Sequence, residues 1–204
     1  MSTAEHRVAP APGHAPAPVG PAERLLATAT KLFAAQGIRA VGIDQILREA
    51  AVAKASLYST YGSKDALVIA YLTDLDQRDR NRWLLAAADV ADPLARVLLF
   101  FDLAITGAPA RGFRGCLYAN AATEFPDTEL APVRAHRQWM HATLAAQLTE
   151  ASPKATVGSS ADLAHQVQVI YDGALVGSKI ERSVAALQRA RALVVDIIAQ
   201  SASR

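Results

Sequence analysis

Residues 43–61 read IDQILREAAVAKASLYSTY, two short segments with helical apolar spacing joined by three small residues. Ile43, Ile46, Leu47 and Ala50 form the first face; Ala51, Val52 and Ala53 intervene; Leu57 and Tyr61, four apart, form the second. Two short helices across such a turn make the helix-turn-helix pattern, whose second helix enters the major groove of DNA. With Leu57 and Tyr61 turned inward, Lys54, Ala55, Tyr58 and Ser59 face outward and Thr60 lies near the helix end. Lys54 begins one helix and Lys64 the next, where helix dipoles disfavour a cation unless a phosphate lies nearby. Tyr58 and Tyr61 also admit a core reading, and the two lysines a solvated one.

Outward from this stretch the chain reads as helix throughout. Leu25, Leu26, Ala29, Leu32 and Phe33 predict an amphipathic helix over residues 22–36, stopped by Gly37. Ser63 is a candidate cap for a long connector running to about residue 88, with Asp74, Asp76, Arg78, Asp79, Arg80 and Arg82 as a solvated face. Further helices are expected over 92–107, 115–125, 128–151, 161–181 and 184–201, with Ser152, Pro153, Lys154 and Gly158 to Ser160 as a loop. Residues 1–20 are rich in Pro and Ala and read as a disordered tail. The division expected is therefore a tail over 1–20, a DNA-binding domain over 21–66 and a larger helical domain over 67–204. The fold class is all-α.

The composition agrees. The 204 residues are 51% hydrophobic, enough for a sizeable core, and only 6% aromatic with abundant Ala, which favours closely packed helices. One cysteine, Cys116, forms no disulfide within the chain, and no run of about 20 apolar residues spans a bilayer, so a cytoplasmic protein without a membrane partner is expected. The net charge of +2 falls wholly between Pro21 and Asp65. No Gly-rich phosphate loop, Cys pair or Ser–His–Asp grouping occurs at recognisable spacing, and His136 and His141, five apart, do not share the face of a helical zinc pair. Neither catalysis nor a cofactor or metal is expected.

The stretch from Arg24 to Leu67, RLLATATKLFAAQGIRAVGIDQILREAAVAKASLYSTYGSKDAL, strongly resembles the N-terminal domain of the TetR (tetracycline-repressor) family of bacterial regulators. Leu32, Phe33, Gly37, Ile46, Ala50, Val52, Lys54, Leu57, Tyr58, Tyr61, Lys64 and Leu67 carry the likeness. It implies phosphate contacts from Lys54, Tyr58 and Lys64, with Ala55, Ser56, Ser59 and Thr60 at or near base edges. Val41, Gly42 and Ala53 depart from the hydroxyl residues common there, and Ala51 from a frequent Gly.

The resemblance further implies a homodimer through the last two helices, reading an inverted-repeat operator on double-stranded DNA. Leu163, Val167, Ile170, Leu187, Val194 and Ile198 form a broad apolar arc suited to that interface or, alternatively, to completing the core of the monomer, and Gly173, Ala174, Gly177 and Ser178 permit close approach. A small-molecule effector would release the operator from a pocket for which Phe100, Tyr118, Asn120, Glu124, Trp139, Met140 and Tyr171 are candidates; the same residues also suit an ordinary core. Glu124, a carboxylate on an apolar helix, needs a partner, which an Arg or a cationic ligand could supply. Cys116 reads either as buried filler or as an oxidant sensor assisted by Arg111 or Arg114. The alternative to a regulator is a helical ligand carrier or partner-binding module whose heads lack DNA affinity.

Overall fold

A computed structural model describes residues 20–152 and 157–202; the expected tail over 1–19 and the loop residues 153–156 lie outside the described residues. Within them the chain forms nine helices and no strand. They are α1 (Pro21–Gln36), α2 (Ile43–Ala50), α3 (Lys54–Tyr61), α4 (Lys64–Ala87) and α5 (Pro93–Gly107), then α6 (Leu117–Glu124), α7 (Ala131–Ala151), α8 (Val157–Glu181) and α9 (Ala185–Ala202). Local chemistry sets several ends. Pro21 occupies the first turn of α1, where its missing N–H costs nothing, and Gly37 ends that helix at φ 95°. Ser63 Oγ accepts the Ala66 N–H at the head of α4, and Asp92 accepts the N–H groups of Leu94 and Ala95 at the head of α5. The loop expected before α8 is shorter than the sequence suggests, because Ser159 and Ser160 already belong to the helix.

Two hydrophobic cores organise these helices. The first gathers Leu25, Phe33, Ile46, Leu57, Leu67 and Tyr71 from α1 to α4, with Phe33 and Tyr71 in edge contact at 5.4 Å. It also takes in Tyr118 and Ala121 of α6 and Leu130 beyond it. The second core joins Trp83 and Ala87 at the far end of α4 to α5, α7, α8 and α9. At 24 residues, α4 reaches about 36 Å and contributes to both cores. The connector is thus a structural member of both halves, and Cys116 at the head of α6 packs against both cores.

The last two helices correct the sequence reading in detail. Val167, Ala174, Leu187, Val194 and Ile198 are buried in the second core of the single chain, and a Cβ on Gly177 would meet the Ala186 Cβ at 2.9 Å. Those residues pack α8 onto α9. What α8 leaves exposed is a different seam, Val169, Gly173, Val176 and Ile180, spaced four, three and four apart. Periodicity alone cannot tell these arcs apart when a helix is apolar on more than one side.

Candidate nucleic-acid interface and ligand cavity

The head is a three-helix unit that offers α3 to solvent along one side. Leu57 is fully buried, while Lys54, Ala55, Ser59 and Thr60 are exposed and Tyr58 is 45% exposed; Ser56 is half-buried. Tyr61 is no surface residue: its hydroxyl donates to the Ala22 carbonyl at 2.9 Å and pins α3 to the start of α1. Burial raises its pKa, as does the Asp74 carboxylate. Ala53, at the N-cap of α3, provides no side-chain acceptor, so the first N–H groups of the helix keep no cap from it. The exposed face thus combines a cation, short side chains, a phenol and uncapped N–H groups, which suits a phosphate backbone with base edges beyond it.

The loop between α1 and α2 is held from two sides. Lys64 Nζ donates to the Ile38 carbonyl at 2.9 Å, which uses one of its three protons and leaves two for another acceptor. From the opposite side Glu124, at the end of α6, accepts the Ile38 N–H at 3.1 Å and the Arg39 N–H at 2.6 Å. A Cβ on Gly37 would lie 3.1 Å from the same carboxylate, and Gly37 has φ 95°, so glycine suits this close approach twice over. The partner that Glu124 required is therefore the backbone of the head. It does not line the cavity described next.

That cavity, of about 130 Å³, lies between α4, α5, α7 and α8, with the start of α6 as one wall. Phe100, Tyr118, Trp139, Met140 and Tyr171 line it. Asn120 does not: its side chain donates to the Arg114 carbonyl at 3.0 Å and accepts from Lys179 Nζ at 2.9 Å, so it ties α6 to α8. Sequence reading missed Asp79, Trp83, Arg111 and His136 in the wall. Asp79 and Trp83 sit four apart on α4, a shared face that was legible, but the surrounding charges suggested solvent. In the fold those charges are partly buried: Asp79 accepts the Tyr118 hydroxyl at 2.9 Å and pairs with Arg82, while Asp76 binds Arg80 and, at 2.9 Å, His136 Nδ1.

The electrostatics follow from this burial. The His136 ring stacks on Tyr118 at 3.8 Å, and desolvation lowers its pKa against the opposing pull of Asp76 and Asp79. Burial and the Asp79 carboxylate push the Tyr118 hydroxyl far up, so it stays a donor. Burial also raises the Cys116 thiol, opposed by the Ala119 N–H that its Sγ accepts at 3.4 Å as the cap of α6. A raised pKa keeps the thiol protonated, which disfavours oxidant chemistry there. His141 pairs with His165 of α8 at 2.9 Å rather than with His136, and no group of three metal-binding side chains occurs among the described residues.

Residues 25–71 match the family model described as bacterial regulatory proteins of the tetR family, and residues 93–194 match the tetracyclin repressor-like C-terminal domain. The chain belongs to the TetR family. It is 31% identical over 156 residues to the transcriptional regulator AcuR of Cereibacter sphaeroides, covering 72% of this chain and 70% of the relative. A TetR-family transcriptional regulator from Streptomyces coelicolor superposes with a TM-score of 0.81 at 30% identity, over 89% of this chain and 96% of that one. The reduced form of NemR from E. coli shares the fold, with a TM-score of 0.74 at 23% identity over 85% and 94% of the two chains. The protein is accordingly a DNA-binding transcriptional regulator of an all-helical family whose members are regulators rather than enzymes. Among the described residues no helix is long and apolar enough to cross a membrane.

Proposed function

We propose that this TetR-family regulator is a homodimeric repressor that leaves an inverted-repeat operator when a small molecule fills the cavity beside α6. The observation that carries the reading is the position of α6. Cys116, Leu117 and Tyr118 at its start line the cavity, and Glu124 at its end holds the backbone of the α1–α2 loop. A ligand that shifts α6 therefore acts on the head without touching DNA. Ligand and operator then oppose each other through one coupling free energy, and each weakens the other by the same factor.

In this reading Lys54, Tyr58 and Lys64 hold phosphates while Ala55, Ser56, Ser59 and Thr60 approach base edges. The family's usual hydroxyls are absent at Val41, Gly42 and Ala53, so phosphate holding leans on the two lysines and Tyr58. Dimerisation is supported by the exposed seam Val169, Gly173, Val176 and Ile180 on α8. A contiguous apolar stripe of that kind is a common mark of association. The domain division in this reading remains a DNA-binding head over 21–66 and a ligand and dimer unit over 67–204, with Leu67, Tyr71, Tyr118 and Leu130 of the second unit packed into the core of the head.

The test is binding to the promoter region of the protein's own gene. Lys54→Ala and Tyr58→Ala are each expected to weaken binding by about tenfold, as loss of a charged or polar phosphate contact does. Lys54→Ala should also make the salt dependence shallower by about one unit. Unchanged binding in both variants overturns the assignment of α3 residues.

A further inference from the structure

We infer that the cavity takes a small, flat organic carboxylate of about the size of benzoate, with its anionic end on Arg111 and its body between the aromatic walls. The inference rests on the reading of this cavity as the effector site and adds the chemistry of the occupant. Size comes first. A cavity of about 130 Å³ is close to the ~150 Å³ that admits a benzene ring in a protein interior. Shape comes next: Trp83 stacks on Phe100 at 5.6 Å, Trp139 stands edge-on to both, and Tyr171 stands edge-on to Phe100. Such walls favour another flat apolar body.

The charge of the lining decides the polar end. Asp79, the acid in the wall, is already engaged by the Tyr118 hydroxyl and by Arg82. Arg111 is not: among the described residues its guanidinium has no hydrogen-bond or ion-pair partner, and it lies against Gly107 in the space a Cβ would fill. Trp83, 6% exposed, carries an indole N–H that is also without a partner among the described residues. Buried donors are nearly always paired, and the Trp83 indole N–H is not; with a half-buried guanidinium in the same wall that also lacks an anionic partner, the lining favours an acceptor with negative charge. His136, neutral because burial lowers its pKa, adds no competing positive charge. The loop that presents Arg111 is held in an uncommon conformation, with Phe113 at φ 56° between Gly112 at φ 61° and Gly115 at φ 68°.

Both tryptophans of the chain stand in the cavity wall, so intrinsic fluorescence reports on its filling. Titration of the full chain with benzoate is expected to give saturable quenching, with benzamide and benzylamine at least about tenfold weaker. Arg111→Gln should weaken benzoate by about ten- to a hundredfold while leaving benzamide unchanged. No saturable benzoate binding, equal binding of benzoate and benzamide, or an Arg111→Gln protein of unaltered helicity that binds benzoate as before each overturns the inference. Should that variant fail to fold, the comparison of benzoate with benzamide on the unmodified chain decides. Operator release, measured separately, tests the other reading: benzoate that binds through Arg111 without displacing DNA leaves the ligand chemistry standing and overturns the effector role.

Discussion

Ala51 adopts φ 51°, ψ 50° at the C-cap of α2, a left-handed backbone that a Cβ disfavours by about 1–2 kcal/mol. The turn of the helix-turn-helix demands this conformation, and Ala51 accepts the strain where glycine would not. Ala51→Gly is therefore expected to stabilise the fold by about 0.5–1 kcal/mol, after allowance for the greater freedom of glycine in the unfolded chain. A melting temperature that falls would contradict the strain. At His136 the residue scale meets pH. Desolvation lowers its folded pKa below the ordinary 6.5, so in the window between the two values the unfolded chain binds more protons. The stabilisation is complete above about pH 6.5 and is lost as pH falls through the folded value. Denaturant unfolding across pH 5–8 should show this slope, and His136→Gln should flatten it.

Between elements, α6 matters more than its eight residues suggest. Tyr118 belongs to the head core yet stacks on His136 of α7 in the cavity wall, and Glu124 closes two hydrogen bonds to the loop before α2. Removing that carboxylate by Glu124→Ala leaves two N–H groups without their charged acceptor, one of them exposed and readily hydrated. We expect a loss of about 1–3 kcal/mol in stability. The more telling expectation concerns coupling. The variant should still bind its operator but lose most of the ligand response, so that affinity for DNA with and without ligand converges. A full ligand response in Glu124→Ala would show that the signal travels by another route, for example along α4.

For the molecule as a whole, the two cores share α4, Cys116 at the head of α6 packs against both, and α8 keeps an apolar seam exposed. Charges placed there test whether a second copy covers it. Val176→Asp with Ile180→Asp should convert the proposed dimer to monomers in sedimentation, because two buried carboxylates per protomer would face their symmetry mates. Operator affinity should fall steeply with it, since two linked heads gain effective concentration that separate heads lack. The side chains are 54% and 76% exposed in the single chain, so the fold of each protomer should survive. A dimer that persists would move the interface elsewhere.

Local sequence determined the helices, the turn at Ala51–Ala53 and the outward face of α3, because helical period, caps and small turn residues act over a few positions and leave their mark there. Lys54, Tyr58 and Ser59 could be assigned to one face from spacing alone. The same information sufficed to place Phe100, Tyr118, Trp139 and Tyr171 among apolar neighbours. Only tertiary structure decided which of them share a cavity. It also turned Glu124 toward the backbone of Ile38 and Arg39, some 85 residues earlier in the chain, drew Asp79 out of the solvated face it seemed to occupy, and brought His136 to Asp76. It separated the arc of α8 that builds the protomer from the seam that remains exposed. The physical reason is common to all of these. Partner choice for a charge or an apolar face depends on which distant groups arrive beside it, and a pattern read along one helix carries no record of them.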